Sequence, residues 1–203
     1  MNEYANGAEL KATLELVGET FADPDITLAL TAASRAIDNV CDRRFYADAD
    51  ATQVRYYSPD DARILRIDDL VTLTTLVTDP GGDGTFEDAW TLNTDFVLEP
   101  LNAAANAHPY TTIAVHPNGS FRLPCSFPRS VKLTGKFGWS AVPEPIKEAT
   151  MVLASKLMRR AREAPFGVVS VGLEAGAAMR IARNDPDVLM LVGPYRRYPV
   201  AVA

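Results

Sequence analysis

The apolar period of this chain changes twice. Up to residue 50 apolar side chains recur every three or four positions, between residues 52 and 137 they alternate or run in short β-branched stretches, and from residue 143 the helical spacing returns. A chain patterned in that order predicts helices from both ends and strands in the middle. Its 203 residues, 47% of them hydrophobic, supply one sizeable core with a smaller companion, and 23% charged residues is too few for a disordered acidic chain.

At the front, residues 9–17 place Leu10, Leu14 and Val17 on one helical face, with Gly18 as a stop. A stronger helix follows Asp23-Pro24-Asp25: Asp23 is positioned to cap it, Pro24 suits the first turn, and Ile26, Leu30, Ala33, Ile37 and Val40 form the apolar stripe. Ala29, Ala32, Ala33 and Ala36 either let another helix approach closely, from the same chain or a neighbouring copy, or act simply as good helix formers.

At the back, Pro143 and Pro145 permit a helix start, and Ile146, Ala149, Leu153, Leu157 and Ala161 make a strip broadened by Thr150, Ala154 and Met158 before Pro165-Phe166-Gly167. Residues 168–183 are ambiguous: 168–171 read as a strand and 175–181 as a helix or an arm. Asn184-Asp185-Pro186-Asp187 opens a last short helix, with Val188, Leu189, Leu191 and Val192, closed by Gly193-Pro194.

In the middle, strands are predicted at residues 53–57, 63–67, 71–77, 90–98, 111–115, 120–123 and 130–137. Residues 79–84 are a connection, residues 102–109 a surface loop, and Pro117-Asn118-Gly119 a tight hairpin turn between Val115 and Phe121. The predicted fold is α+β, a small helical bundle formed by the N- and C-terminal helices with an inserted antiparallel β-rich unit. Its segments are residues 1–50, 51–137 and 138–194, followed by a basic-aromatic tail or arm at 195–203. Ile37, Leu153 and Leu157 are candidate core residues, and Trp139, where the insert returns to the helices, is a candidate packing residue at that junction.

Charge is uneven along this layout. The net charge is -6, divided as -6 over residues 1–50, -3 over residues 51–142 and +3 over residues 143–203. The acidic front and basic back can attract each other within one chain or between neighbours. An acidic total argues against a general binder of phosphate backbones. The amino-terminal stretch lacks the positive-then-apolar pattern of a signal peptide and no later stretch spans a bilayer, which predicts a soluble chain made in the cytoplasm without a membrane partner. Cys41 and Cys125, in neither a CxxC nor a disulfide pattern, are expected as reduced thiols in or near the core, and Asn118-Gly119-Ser120 as a turn rather than a glycosylation site.

The devices of catalysis are missing. His108 and His116 each precede a proline outside any compact ligand pattern, and neither a GxSxG elbow nor a GxxxxGK[ST] phosphate loop is present. Residues 79–90 imitate a calcium loop at Asp79, Asp83 and Gly84, but Gly81 and Trp90 stand where oxygen ligands are needed. The acidic pairs Asp60-Asp61, Asp68-Asp69 and Glu87-Asp88 are adjacent, so in a strand their carboxylates point to opposite faces. No catalytic residue, cofactor or metal site is assigned.

Two compact basic-aromatic motifs remain, Arg43-Arg44-Phe45-Tyr46 and Tyr195-Arg196-Arg197-Tyr198. Arginine forks hold carboxylates while their stems cover apolar surface, and tyrosine offers area with a polar end. Arg43 and Arg44 fit helix-end support, an interface or nucleic acid. Tyr195, Arg196, Arg197 and Tyr198 fit an interface, a solvated tail or nucleic acid.

The residues at 30–45 (LTAASRAIDNVCDRRF), at 135–143 (GKFGWSAVP), through the helix at 146–162, and at 185–188 and 194–197 (DPDV, PYRR) together resemble the gp6-like head-tail connector (head-completion, or adaptor) proteins of long-tailed bacteriophages. The resemblance covers about half the chain, at its two helical ends. It implies a non-enzymatic virion protein at the head-tail junction, assembled in the bacterial host cytoplasm as a homo-oligomeric ring, commonly of twelve copies, beneath the portal protein. Such a ring extends the DNA channel, lets viral DNA pass without sequence-specific binding, and docks the next neck or tail-completion protein. The alternatives are another phage neck or tail-completion ring protein and, far behind, a hydrolase assembled only in the fold.

Overall fold

The fold is α+β, as the period changes predict. The computed structural model describes residues 2–16, 20–50, 52–163 and 175–197. The chain divides into two compact units, one of Met1–Phe45 with Val142–Ala203, the other of Tyr46–Ala141. Among the described residues no helix is long and apolar enough to cross a membrane.

The first unit is helical: α1 (Gly7–Leu16), α2 (Asp23–Cys41), α3 (Glu144–Glu163), α4 (Ala175–Asn184) and α5 (Pro186–Val192). α2 packs against α3 and α4 along its length, and more briefly against α1. That explains its alanines. Ala29, Ala32, Ala33 and Ala36 are all buried beside the larger stripe of Ile26, Leu30, Ile37 and Val40, so α2 is enclosed on more than one side. On α3, Leu153 and Leu157 are fully buried with Ile146, Ala149, Ala154 and Ala161.

Helix ends follow local chemistry with one correction. The N-cap of α2 is Ala22, not Asp23, and makes no side-chain cap; Asp23 lies in the first turn, where its carboxylate pairs with Lys11 at 2.7 Å and favours the positive helix end. Asp185 does cap α5, accepting from the Asp187 and Val188 amides at 3.1 and 3.3 Å, with Pro186 at the first helical position. Of the ambiguous stretch, residues 175–184 are helix α4, and the strand read at 168–171 lies outside the described residues, as does the stop at Gly18.

The second unit is one antiparallel sheet of β1 (Gln53–Tyr57), β2 (Ile64–Thr78), β3 (Asp88–Ala89), β4 (Phe96–Glu99), β5 (Tyr110–Val115) and β6 (Val131–Phe137), in the order β1-β6-β2-β5-β4, with β3 on the far end of β2. Leu65, Ile67, Leu76, Phe96, Ile113, Leu133 and Phe137 form its core face. Two glycines are demanded by backbone approach. A Cβ at Gly135 would lie 2.4 Å from the Thr72 carbonyl beside the β2 register shift, and Gly138, at φ +109, has the Tyr46 carbonyl 2.0 Å from where a Cβ would stand.

Three strand expectations fail. Residues 63–67 and 71–77 are one continuous strand, because Asp68 and Asp69 in the gap find partners on opposite faces: Asp68 takes Arg55 and the Tyr57 hydroxyl, and buried Asp69 accepts from Trp139 Nε1 at 3.0 Å. The run at 90–98 is broken by a turn in which the Asp95 carboxylate accepts the Thr91 amide, leaving only β4 extended. Residues 120–123 are not a strand. The Asn118-Gly119 turn closes, but Arg122 then grips the Gly119 and Phe121 carbonyls and the Leu123 amide donates to Ala62, carrying the chain away from β5. The loop at 102–109 holds one 3-10 turn, Ala104–Asn106. The calcium-loop imitation is a turn, with Asp79 accepting the Gly82 and Gly84 amides at 2.7 and 2.8 Å.

Candidate interaction surface

α2 ends because Asp42 takes a left-handed conformation, at φ 52, and turns the chain back across its own last carbonyls. Arg43 and Arg44 follow, half-buried and exposed, and Phe45 then drives fully into the helical unit. From the other end of the chain, α5 runs into a 3-10 turn, Gly193–Tyr195, after which Arg196 is extended and the Arg197 amide donates to the Cys41 carbonyl at 2.8 Å. Residues 43–45 of the first motif and 195–197 of the second, separated by some 150 residues of chain, therefore meet on the helical unit.

The floor where they meet is aromatic. Phe45 meets Tyr4 edge-to-face at 5.8 Å and Tyr195 edge-to-face at 5.9 Å, an arrangement the ring quadrupoles favour. Hydrogen bonds fix Tyr4: its amide donates to Ser34 Oγ, its hydroxyl donates to the Asp38 carboxylate, and that hydroxyl accepts the Phe45 amide at 2.9 Å. Arg35 completes the group, 3.2 Å from Asp38 and 5.4 Å from the Tyr4 ring centre. Sequence reasoning misses Tyr4, Ser34 and Asp38, since one tyrosine in an acidic amino-terminal stretch carries no periodic signal.

Burial sets the electrostatics. It raises the Asp38 carboxyl above the usual carboxylate range, against the opposing pull of the Tyr4 hydroxyl, Arg35 and Arg44. Burial, with the Asp38 charge, pushes the Cys41 thiol up to about 12, despite Arg196 and Arg43. A neutral, buried thiol is a packing group, not a nucleophile. Cys125, by contrast, is exposed rather than near the core, and both cysteines are free. What the surface offers is guanidinium: Arg44 and Arg196 exposed, Arg43 and Arg197 half-buried, over tyrosine and phenylalanine. That combination suits carboxylates on a protein partner.

The other candidates separate. Ile37, Leu153 and Leu157 are buried in the helical unit, and Tyr198 lies outside the described residues. Trp139 is buried, its indole on Asp69 and its ring 5.2 Å from His108. His116 Nδ1 accepts the Asn118 amide within its own turn. Among the described residues no three histidine, cysteine or acidic side chains gather as metal ligands.

No protein-family model matches the chain, and no curated protein matches it. Among solved structures it is similar to a chain of the neck of an empty GTA particle computed with C6 symmetry, at TM-score 0.54 and 18% identity, over 100% of this chain and 97% of that one. Chains of the neck of the native GTA particle computed with C12 symmetry (TM-score 0.49, 16% identity) and of the virion of the native gene transfer agent particle (TM-score 0.48, 19% identity) align over the same shares. At such identity the first likeness is one of fold, carried from end to end of both chains.

Proposed function

We propose that this chain is a structural subunit of a head-tail junction, a connector that forms a homo-oligomeric ring of twelve copies below a portal protein, extends the DNA channel and docks the next neck or tail-completion protein. The observation that carries this reading is the end-to-end fold likeness to a neck chain of an empty GTA particle. The gathered arginine-aromatic surface supports it from within, because such surfaces hold partners without covalent chemistry. The role is assembly rather than catalysis.

The net charge of -6 supports a passage for DNA rather than a grip on it, since tight phosphate binding would oppose movement. A packed helical unit and a separate sheet unit suit a subunit with two kinds of neighbour, those in its own ring and those above or below. The place of action is then the virion, after assembly in the bacterial host cytoplasm.

Electron cryomicroscopy of the neck of particles carrying this chain tests the reading. The expected map has a closed ring of identical copies directly beneath the portal. A ring with different neighbours assigns the chain to another neck or tail-completion role, and a single copy or a position outside the neck overturns the connector.

A further inference from the structure

The sheet of the second unit ends in two edges of different character. β4 is blunted: the Asn93 amide donates to the Phe96 carbonyl at 2.7 Å, Leu92 bridges to Phe96, and Pro100 follows Glu99 directly. β1 has no such cover, since among the described residues no backbone group outside β6 bonds Gln53–Tyr57.

The pairing of β6 identifies which groups of β1 face outward. The Asp79 amide donates to Ser130 at 2.8 Å and the Gly138 amide to Asp69 at 2.7 Å, so even-numbered residues of β6 bond toward β2. The Asp48 amide donates to Phe137 at 3.0 Å, so the odd-numbered ones bond toward β1. Gln53, Arg55 and Tyr57, opposite Gly135, Leu133 and Val131, are therefore joined to β6, and the amides and carbonyls of Val54 and Tyr56 point away from the sheet.

The same two residues carry exposed side chains, 46% for Val54 and 42% for Tyr56, on the face they share with Thr134 and Lys132. The Arg129 guanidinium lies 4.6 Å from the Tyr56 ring centre, Phe86 packs 5.8 Å from that ring, and the Lys132 ammonium is 5.7 Å from Phe86. On the opposite face Arg55 is paired with Asp68 at 2.7 Å and Asp48 at 3.4 Å. Positive charge thus flanks the open edge on the Tyr56 side, whereas on the other face Arg55 is neutralised by its two carboxylates.

We propose that β1 receives an extended segment of a partner protein by strand addition, and that this segment carries carboxylates at the alternate positions facing Arg129 and Lys132. The backbone of Val54 and Tyr56 supplies the hydrogen bonds, and the side chains beside them select the charge. A second copy of β1 is disfavoured as occupant, because it brings Arg129 and Lys132 of both copies to one seam. The assignment does not depend on the connector reading.

The probes are two synthetic nonapeptides, one alternating valine with glutamate and one alternating valine with lysine, added to the whole chain while amide exchange is followed by NMR. The glutamate peptide should slow exchange at Val54 and Tyr56 about tenfold, and the lysine peptide should not. Val54→Pro removes an outward N–H without touching a bond to β6, so it should abolish the slowing at Tyr56 with the melting curve unchanged. Should that variant unfold, Arg129→Glu with Lys132→Glu serves instead and should switch the preference to the lysine peptide. Absent slowing, equal slowing by both peptides, or slowing that appears without peptide as protein concentration rises each overturns the proposal.

Discussion

The Arg197 amide donates to the Cys41 carbonyl at 2.8 Å, which ties the segment after α5 to the last turn of α2. Tyr195 is consequently part of the folded helical unit, with its ring against Phe45, while residues 198–203 of the predicted tail or arm lie outside the described residues. Tyr195→Ala should lower stability by about 1–2 kcal/mol in urea denaturation, from lost ring contact and burial. Unchanged stability would mean that the Phe45 contact contributes nothing.

Leu153 and Leu157 lie on α3, the helix that packs along α2, and both are fully buried. Replacing either with alanine deletes apolar volume where the enclosed α2 leaves little room for collapse, so each should cost on the order of 2–5 kcal/mol. Denaturant midpoints of the two single variants measure this, and a change confined to the slope rather than the midpoint would point to the unfolded state instead.

Trp139 and Asp69 are both buried, and the indole N–H is a donor to that carboxylate at 3.0 Å. Trp139→Phe keeps much of the apolar area but removes one donor from a buried carboxylate, which should cost about 1–3 kcal/mol. Trp139→Phe in an Asp69→Asn background should lose less, since the neutral amide is less costly to leave without its indole donor. A double-mutant cycle read by thermal unfolding gives the coupling.

Much of this fold is legible in the spacing of apolar residues. α2 and α3 are long and strongly periodic, and the Asp185-Pro186 start of α5 is a local signal that the structure obeys. What spacing conceals is settled by distant partners. β2 runs through Asp68-Asp69 with Arg55 and Trp139 among the partners that wait on opposite faces, and the hairpin after Val115 is lost to Arg122 and Ala62. The interaction surface shows the same division. Both of its motifs are visible as arginine-aromatic clusters, whereas their union depends on the Cys41 to Arg197 bond and on Phe45, which no local pattern announces.

Asp185 links pH to stability. Burial alone would raise its carboxyl, but the Lys156 ammonium and the Val188 and Asp187 amides outweigh it and hold the group below the usual carboxylate range. A carboxylate lowered in the folded state stabilises above its unfolded pKa of about 4 and loses that contribution as pH falls through the folded value. Asp185→Asn keeps an N-cap and removes the charge, so it should cost about 0.5–1 kcal/mol at pH 7, moderated by the partial exposure of Lys156. The gap from the parent chain should close as pH falls through the lowered folded value, measured by urea unfolding across pH. A gap that persists in acid would assign the loss to the cap alone.

The last prediction concerns the surface where the two motifs meet. Arg44 and Arg196 are exposed, while Arg43 and Arg197 are half-buried, so substitution of the exposed pair removes the least packing. Because Arg44 offsets the burial of Asp38, Arg44→Glu with Arg196→Glu should lower the urea midpoint more than the alanine pair does, so docking is compared per folded chain. If an acidic partner surface docks here, incorporation into portal-containing particles should fall more for the glutamate pair than for the alanine pair, because repulsion adds to lost attraction. The difference should shrink as salt is raised, since exposed charges about a Debye length of ~10 Å apart at 0.1 M are screened. Tyr195 supplies apolar contact to the same surface, and its part in binding should resist salt. Co-sedimentation of folded variant chains with portal particles at low and high salt reads both effects, and equal incorporation of the glutamate and alanine pairs at low salt would remove charge recognition from this surface.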